Sequence, residues 1–432
     1  MGIEYGERRS TFIDYGRPSL FLDFAKRKSL VDAISKNNLI TFTRSSTGTY
    51  VGSDGLIKTA AADEARFDHD PETGESLGLL IEEQRTNLIP FSESFGLGSQ
   101  WNTIRATVTQ NQITAPDGTL TADLLEPIVT TSGGYTRFYY NVTSGTTYTF
   151  SVFVKYHSSD FPYVNFFAGY GTISGGSNST FFNIQNGTLG SGSGTTYVSH
   201  SIKDYGNGWY RCSITTTADV TGSVPFVIHP AEGNNDISYV SDGVGGIYIW
   251  GAQIEAGSFP TSYIPTSGSA VTRQPDNTYI TGTNFTGFYN QTEGTVFSKF
   301  NAFNVGLGDG GRLFRVVIGN NSGGNRIDYV VTQVGAYQPY LASGNVVYYG
   351  GASAVGFSKN TNHKIALTLK ENDITGYVDG SLSTSDTSFI PFVADKFEIG
   401  NYLNGGHLNG HISQLLYYPT RLTNTQLQAL TQ

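Results

Sequence analysis

Residues 147–157 read TYTFSVFVKYH, and the spacing of their side chains decides what kind of chain this is. Tyr148, Phe150, Val152 and Val154 fall at every second position, the period of a strand with one buried face. β-branched and aromatic residues fill the stretch, and no Gly or Pro interrupts it. Residues 246–257, GIYIWGAQIEAG, repeat the pattern and set Tyr248, Trp250, Ala252 and Ile254 on one face. Trp209 and Trp250, flanked by such alternation, are expected in the core. Cys212 alternates inward with Tyr210 and Ile214 and reads as a small buried hydrophobe. From residue 90 to 272 such strands follow one another without helices between them. Gly- and Ser-rich loops such as GTISGGSNS (171–179) and GTLGSGSGTT (187–196) separate them. That cadence predicts an antiparallel β-sandwich.

On either side the pattern changes. PTSGSAVTRQPDN (265–277) reads as a linker. Beyond it HKIALTLKEN, ITGYVDGSLS, DKFEIGNY and GHISQLLYYP read as strands of a second sandwich. Thr423 and Gln426 suit a capping box on a closing helix, with Leu427 and Leu430 a turn apart. Upstream, Leu30, Val31 and Ile34 have helical spacing with Asp23 available as a cap. Two hairpins follow, turning at Ser53-Asp54-Gly55 and Asp70-Pro71-Glu72-Thr73-Gly74. The expected fold is all-β: two antiparallel jelly-roll sandwiches, at 91–272 and 273–432, preceded by a small helix-plus-hairpin docking segment at 1–90.

Composition narrows the function classes. Charged residues are only 14% of the 432, yet 27 Tyr, 27 Phe and 3 Trp give far more rings than a disordered chain carries. Net charge is −9 with no long basic run, so nucleic acid is not the expected partner. A single Cys excludes an intrachain disulfide and a Cys-based zinc site. The opening residues lack the apolar core of a secretion signal, and no apolar run is long enough to span a bilayer. Synthesis in the cytoplasm without membrane insertion is therefore expected.

Three stretches carry a resemblance. Tyr377-Val378-Asp379-Gly380, Ile399-Gly400, Gly410-His411-Ile412 and the Leu422–Leu427 stretch make residues 292–432 resemble the laminin-G/concanavalin-A-like jelly roll. APDGTLTADLLEP, GNGWYRCSITTT and YIWGAQIEAGSFPTSYIPT make residues 92–268 resemble a carbohydrate-binding-module jelly roll. The segment from Ile40 to Ile89, ITFTRSSTGTYV…EQRTNLI, is similar to one that precedes such a module in virion structural proteins of tailed bacteriophages. The resemblance implies a virion component, a tail fibre, spike or capsid appendage. Residues 1–40 would dock on other virion proteins, and lectin-like modules would face outward. Avidity favours a homo-oligomer, with a trimer as the working expectation, although no heptad repeat enforces it.

Geometry separates the candidate sites. RFDHDPETGESLGLLIEEQ (66–84) packs Asp68, His69, Asp70, Glu72 and Glu75 into eight positions. An EF-hand loop needs Gly at its sixth position between helices, whereas Gly74 is seventh from Asp68 and the flanks are strands. Asp68 and Asp70 share a face in a strand and could stand as close as glycosidase acids, but no aromatic subsite surrounds them. The stretch reads as a solvated turn. His407 and His411 are too far apart along a strand to share an ion. GLGDGG (306–311) is followed by a strand and not the helix a dinucleotide site needs. No serine elbow accompanies a His, and the acids of 292–432 are scattered.

What remains are sugar-stacking rings. Tyr163, Asn165 and Tyr170 lie in one aromatic loop region, and Tyr337, Tyr340, Tyr348 and Tyr349 in another, with the usual glycan complement of ring faces and amides. Asp117 with Asp123, or Asp242, could hold a structural calcium, though turn acids are the simpler reading; no cofactor is required. The expected function is non-enzymatic: a phage virion protein contributing to host-surface glycan adhesion. The alternatives are a tail depolymerase or lyase, or a cement protein without a ligand.

Overall fold

The computed structural model describes residues 15–96, 100–129, 132–157, 160–169, 178–303, 311–317, 324–331, 337–344, 346–349, 355–401 and 406–432. The chain is all-β, built as two antiparallel sandwiches. In the central one, one sheet runs in the order Tyr197–Asp204, Trp209–Thr217, Thr147–Tyr156, Ile247–Ala256, Ala122–Pro127, Ala106–Ile113. The facing sheet runs Thr188–Ser193, Asn178–Asn183, Tyr163–Ala168, Gly222–Ala231, Tyr135–Val142, Asn102–Ile104. Non-sequential neighbours mark the crossovers of a jelly roll. As the alternation predicts, Tyr148, Phe150, Val152 and Val154 point between the sheets. There Phe150 meets Phe166 and Phe226 of the other sheet at ring centroids of 5.2 and 5.6 Å. Cys212 and Ile214 are fully buried in the same core.

The strand Ile247–Ala256 departs from strict alternation. Its pairing with Thr147–Tyr156 shifts register between Ser151 and Phe153, opposite Gly251, whose φ is +61°. The bulge turns the strand over. Ile247, Ile249, Ala252 and Ile254 enter the sandwich core, whereas Trp250 lies on the other side of the sheet. Both Trp209 and Trp250 are buried, but in a second cluster with Phe153, Tyr263 and Ile57 outside the sandwich interior.

The C-terminal sandwich is larger than residues 273–432 because it takes strands from the N-terminal segment. One sheet runs Ser381–Asp386, Ile374–Val378, His363–Lys370, Glu293–Ala302, Gly410–Tyr418, Ser76–Ile81, Phe67–His69, and Leu20–Leu22 also pairs with Gly410–Tyr418. The other begins Thr41–Thr43, Asn277–Thr281, Lys396–Ile399, Gly311–Val317 and continues through Arg326–Val331, Tyr337–Ser343 and Val346–Tyr349. Leu20, Leu22, Phe24, Leu79 and Ile81 share one core with Phe300, Ile365 and Phe397. The boundary expected at residue 90 is thus corrected: the strands Leu20–Leu22, Thr41–Thr43, Phe67–His69 and Ser76–Ile81 are built into the second sandwich, while Gly48–Val51 and Ile57–Ala60 pair as a separate hairpin.

Two further local expectations change. The N-terminal helix is one turn, Phe24–Arg27, capped by Asp23, because Lys28 turns left-handed at φ 48°. Asp32 then draws the chain into a turn by accepting from the Phe21 and Ser35 amides. The linker is partly sheet, since Val271–Arg273 pairs with Arg85–Asn87. The closing helix Asn424–Thr431 carries the Thr423/Gln426 capping box. Among the described residues no helix is long and apolar enough to cross a membrane.

Candidate binding cleft between the two sandwiches

The turn region 66–84 is sunk between the sandwiches, and a cluster of five charged side chains explains how. Arg66, Glu82, Arg44, Arg273 and Asp276 are all essentially inaccessible to solvent. Asp276 accepts from Arg44 at 3.0 Å and from Arg66 at 2.5 Å, and Glu82 from Arg66 at 2.8 Å. Arg273 stands 3.6 Å from Glu82. Glu82 also takes the Ser262 amide and hydroxyl, both at 2.7 Å. Burial opposes ionisation of Glu82, but Arg273, Arg66 and Ser262 overcome it and hold its carboxyl well below the usual range. Because Ser262 follows the last strand of the central sandwich and Asp276 precedes the strand Asn277–Thr281 of the other, the cluster pins the two together.

Beside this joint opens a cleft of about 710 Å³. Its first wall is the edge strand Tyr197–Asp204, where Ser199, Ser201 and Lys203 line the cleft at every second residue and Tyr205 follows. Behind them, in register, stand Thr215, Ser213 and Arg211. The hydroxyls of Ser201 and Ser213 are 2.7 Å apart. Arg211 donates to the Thr261 carbonyl at 2.6 Å and to Ser151 at 3.0 Å, and its guanidinium lies over Phe153. Its buried Nε has no hydrogen-bond partner. The second wall combines Tyr50, Asp68, Asp70 and Leu77 with Asn301, Phe303, Lys359, Asn360, Asn362 and His411 of the C-terminal sandwich.

The acids at this cleft are already committed. Asp68 accepts the Val51 amide at 2.6 Å through one oxygen and pairs with His411 Nε2 at 2.8 Å through the other. The Phe303 ring packs edge-on against His411. Asp70 caps its own turn, accepting the Thr73 amide at 2.9 Å and the Glu72 amide at 3.1 Å. Partial burial raises its pKa, but the Thr73 bonds and the Lys203 charge outweigh this and leave it lowered. The reading of a solvated turn is therefore right for exposed Glu72–Glu75 and wrong for Asp68 and His69, which are buried. The basic side chains are the opposite case. Among the described residues neither Lys203 nor Lys359, both exposed, is in an ion pair; Lys203 sits 5.6 Å above the Tyr205 ring.

The sequence-predicted sugar residues do not gather here. Tyr163 is half-buried at the start of Tyr163–Ala168. Asn165 is fully buried and donates to Ser179 and to the Thr180 carbonyl at 2.9 Å each, so it faces no solvent ligand. Tyr337 is likewise a core residue, packed near Phe300 and His363. Tyr340 is half-buried, with the Arg326 guanidinium 4.0 Å from its ring centroid. Tyr170 and the side chains of Tyr348 and Tyr349 lie outside the described residues.

The calcium candidates separate in the same way. Asp117 and Asp242 cap turns, accepting the amides of Thr119 and Val244 at 2.9 Å. Asp123 is buried, accepting the Phe95 and Asn111 amides at 3.0 and 3.1 Å, and burial raises its pKa. Each is a structural bond acceptor. Among the described residues no three His, Cys, Asp or Glu side chains gather as an ion site.

Sequence reasoning named Asp68, Asp70 and His411 without bringing them together, and missed the other cleft-lining residues. The Ser199–Ser201–Lys203 alternation was legible as the polar face of an edge strand, but nothing local shows what stands opposite. Asp68 and His411 are 343 positions apart.

No family model matches this chain, and no curated protein is similar to it. Several solved structures share partial likeness. Domain 4 of the extracellular arabinanase AbnA from Geobacillus stearothermophilus, solved with arabinotriose, is 14% identical over 40% of this chain and 82% of its own, with a TM-score of 0.31. The IT-sialidase CBM40 module of Ruminococcus gnavus, bound to α2,6-sialyllactose, is 18% identical over 33% and 85%, with a TM-score of 0.28. Trypanosoma rangeli sialidase is 11% identical over 75% and 61%, again at 0.28. At these scores the likenesses carry no argument about function.

Proposed function

We propose that this protein is a non-enzymatic glycan-binding display protein, and that saccharide binds in the cleft between its sandwiches. The observation that carries this reading is the composition of the cleft. Hydroxyls and amides (Ser199, Ser201, Asn301, Asn360, Asn362) alternate with rings (Tyr50, Tyr205, Phe303) in a groove of oligosaccharide size. The buried ion cluster holds the two walls at a fixed separation, so little ordering cost falls on binding. Placement on a tailed-phage particle, with the protein acting as fibre, spike or capsid appendage, rests on the sequence likeness of residues 40–89. Docking on other virion proteins and assembly as a trimer belong to the same proposal, with the docking surface of residues 1–40 narrowed because Leu20, Leu22, Phe24 and Ile40 are used by the C-terminal core.

The test is binding of the full chain to a glycan panel and to host-cell surface polysaccharide, compared with Ser201→Trp, which fills the cleft from an exposed position. Retained structure with lost binding is the expected result. Undiminished binding by the variant would move the site elsewhere, and no binding to any glycan would leave the cement reading. Polysaccharide cleavage is the competing function, favoured by the Asp68–His411 pair in the cleft wall. It predicts reducing ends or unsaturated products on prolonged incubation, which His411→Ala would abolish.

A further inference from the structure

The charges facing the cleft are unevenly satisfied, and this says what kind of glycan it takes. Asp68, Asp70 and Glu82 all have backbone, hydroxyl or cationic partners within the protein. Lys203 and Lys359 have no ion pair among the described residues, although they reach the cleft from different sandwiches. Arg211, paired with Lys203 in the sheet, lines the same wall with its guanidinium donating to the Thr261 carbonyl and Ser151. Lys203 lies over Tyr205 and its charge reaches Asp70, so Lys359 is the less engaged of the two. In a chain of net charge −9, lysines on both sides of one groove are not a by-product of a basic surface.

We infer that the cleft takes an acidic polysaccharide, with a sugar carboxylate or sulfate held between Lys203 and Lys359 and an adjacent ring laid on Tyr205. This rests on the glycan-binding reading above and adds the charge of the ligand. Tyr205 is suited to its part because its ring is half-exposed and braced edge-on against buried Phe153 at 4.8 Å. Long-range attraction by two cations would also make capture faster and salt-sensitive.

The experiment measures binding of the full chain, by affinity electrophoresis and calorimetry, to polygalacturonate, alginate and hyaluronan (carboxylates), dextran sulfate, neutral dextran and a single-stranded oligothymidylate. The expected result is binding of one or more acidic polysaccharides that weakens with added salt. Lys203→Ala and Lys359→Ala should each weaken it roughly tenfold, equivalent to about 1.4 kcal/mol, with unchanged thermal melting. Carboxylate and sulfate arms separate the two anion sources. Preferential binding of neutral dextran, or acidic binding indifferent to both lysine variants, would overturn the inference while leaving glycan adhesion standing. Equal binding of the oligothymidylate would show a general polyanion surface and also overturn it. Binding of no polysaccharide, acidic or neutral, would remove the underlying reading as well.

Discussion

Arg66 shows at the level of one residue how the 66–84 stretch is tied into the joint between the sandwiches. Charged side chains are rarely buried unless they are paired, and here the pairing is complete enough to keep five of them from solvent. Removing one partner leaves an uncompensated charge. Arg66→Met should therefore destabilise the fold by about 3–5 kcal/mol, read as a fall in denaturant midpoint. Glu82→Gln should do the same, without affecting secondary structure under native conditions. Acid should act on the same cluster. The folded Glu82 carboxyl is depressed, so its contribution is present above the ordinary glutamate range and is lost as pH falls below about 4.5.

His229 titrates in a higher window. Burial lowers its pKa to about 4, outweighing the bond to Gly133. Its ring is packed between Tyr135 and Tyr239. The unfolded chain takes up the proton first, so the stability from the neutral ring is full above pH 6.5 and declines as pH falls towards 4. The total is about 3 kcal/mol. His229→Phe should flatten the melting temperature across that interval, whereas an unchanged slope would assign the dependence to other groups.

Among the elements, two glycines show what alternation alone misses. At Gly251 the bulge inverts half a strand, and an added Cβ would stand 2.8 Å from Phe153. Reading GIYIWGAQIEAG in strict alternation therefore put Trp250 on the wrong side of its sheet. Gly78 lies in Ser76–Ile81 at φ +103°, where a Cβ would come within 2.3 Å of the Ile412 carbonyl oxygen. That contact brings the N-terminal strand onto Gly410–Tyr418. Gly78→Ala should cost at least about 2 kcal/mol and loosen protection of the 410–412 amides in hydrogen exchange. Gly145→Ala is the control: its φ is +81° but nothing lies within 4 Å, so only the left-handed penalty of about 1 kcal/mol applies. Helical spacing at Leu30, Val31 and Ile34 failed for a related reason, since Asp32 and Ser29 offer the backbone side-chain partners that compete with a helix.

For the whole molecule, the chain closes on itself. Strands from residues 20–81 complete both sheets of the sandwich formed by residues 277–418, and the central sandwich is inserted between these halves. A fragment of residues 273–432 lacks the partners of Gly410–Tyr418 and Asn277–Thr281, leaving open edges and part of the core uncovered. It should aggregate or remain unfolded by circular dichroism and gel filtration. A soluble, folded fragment would mean the N-terminal strands are dispensable.

The sequence by itself determined the all-β class, the strands around 147–157 and 246–257 and in the C-terminal stretches, the hairpin turns and the C-terminal capping box. These depend on side-chain period, on turn residues and on partners three positions apart, all of which are local. Tertiary structure alone decided that Asn165 and Tyr337 are core, that Asp68 meets His411, and that an N-terminal segment completes a C-terminal sheet. Such facts depend on which edges pair across hundreds of residues, and a period of two fixes the face a residue shares with its neighbours without saying what will cover that face.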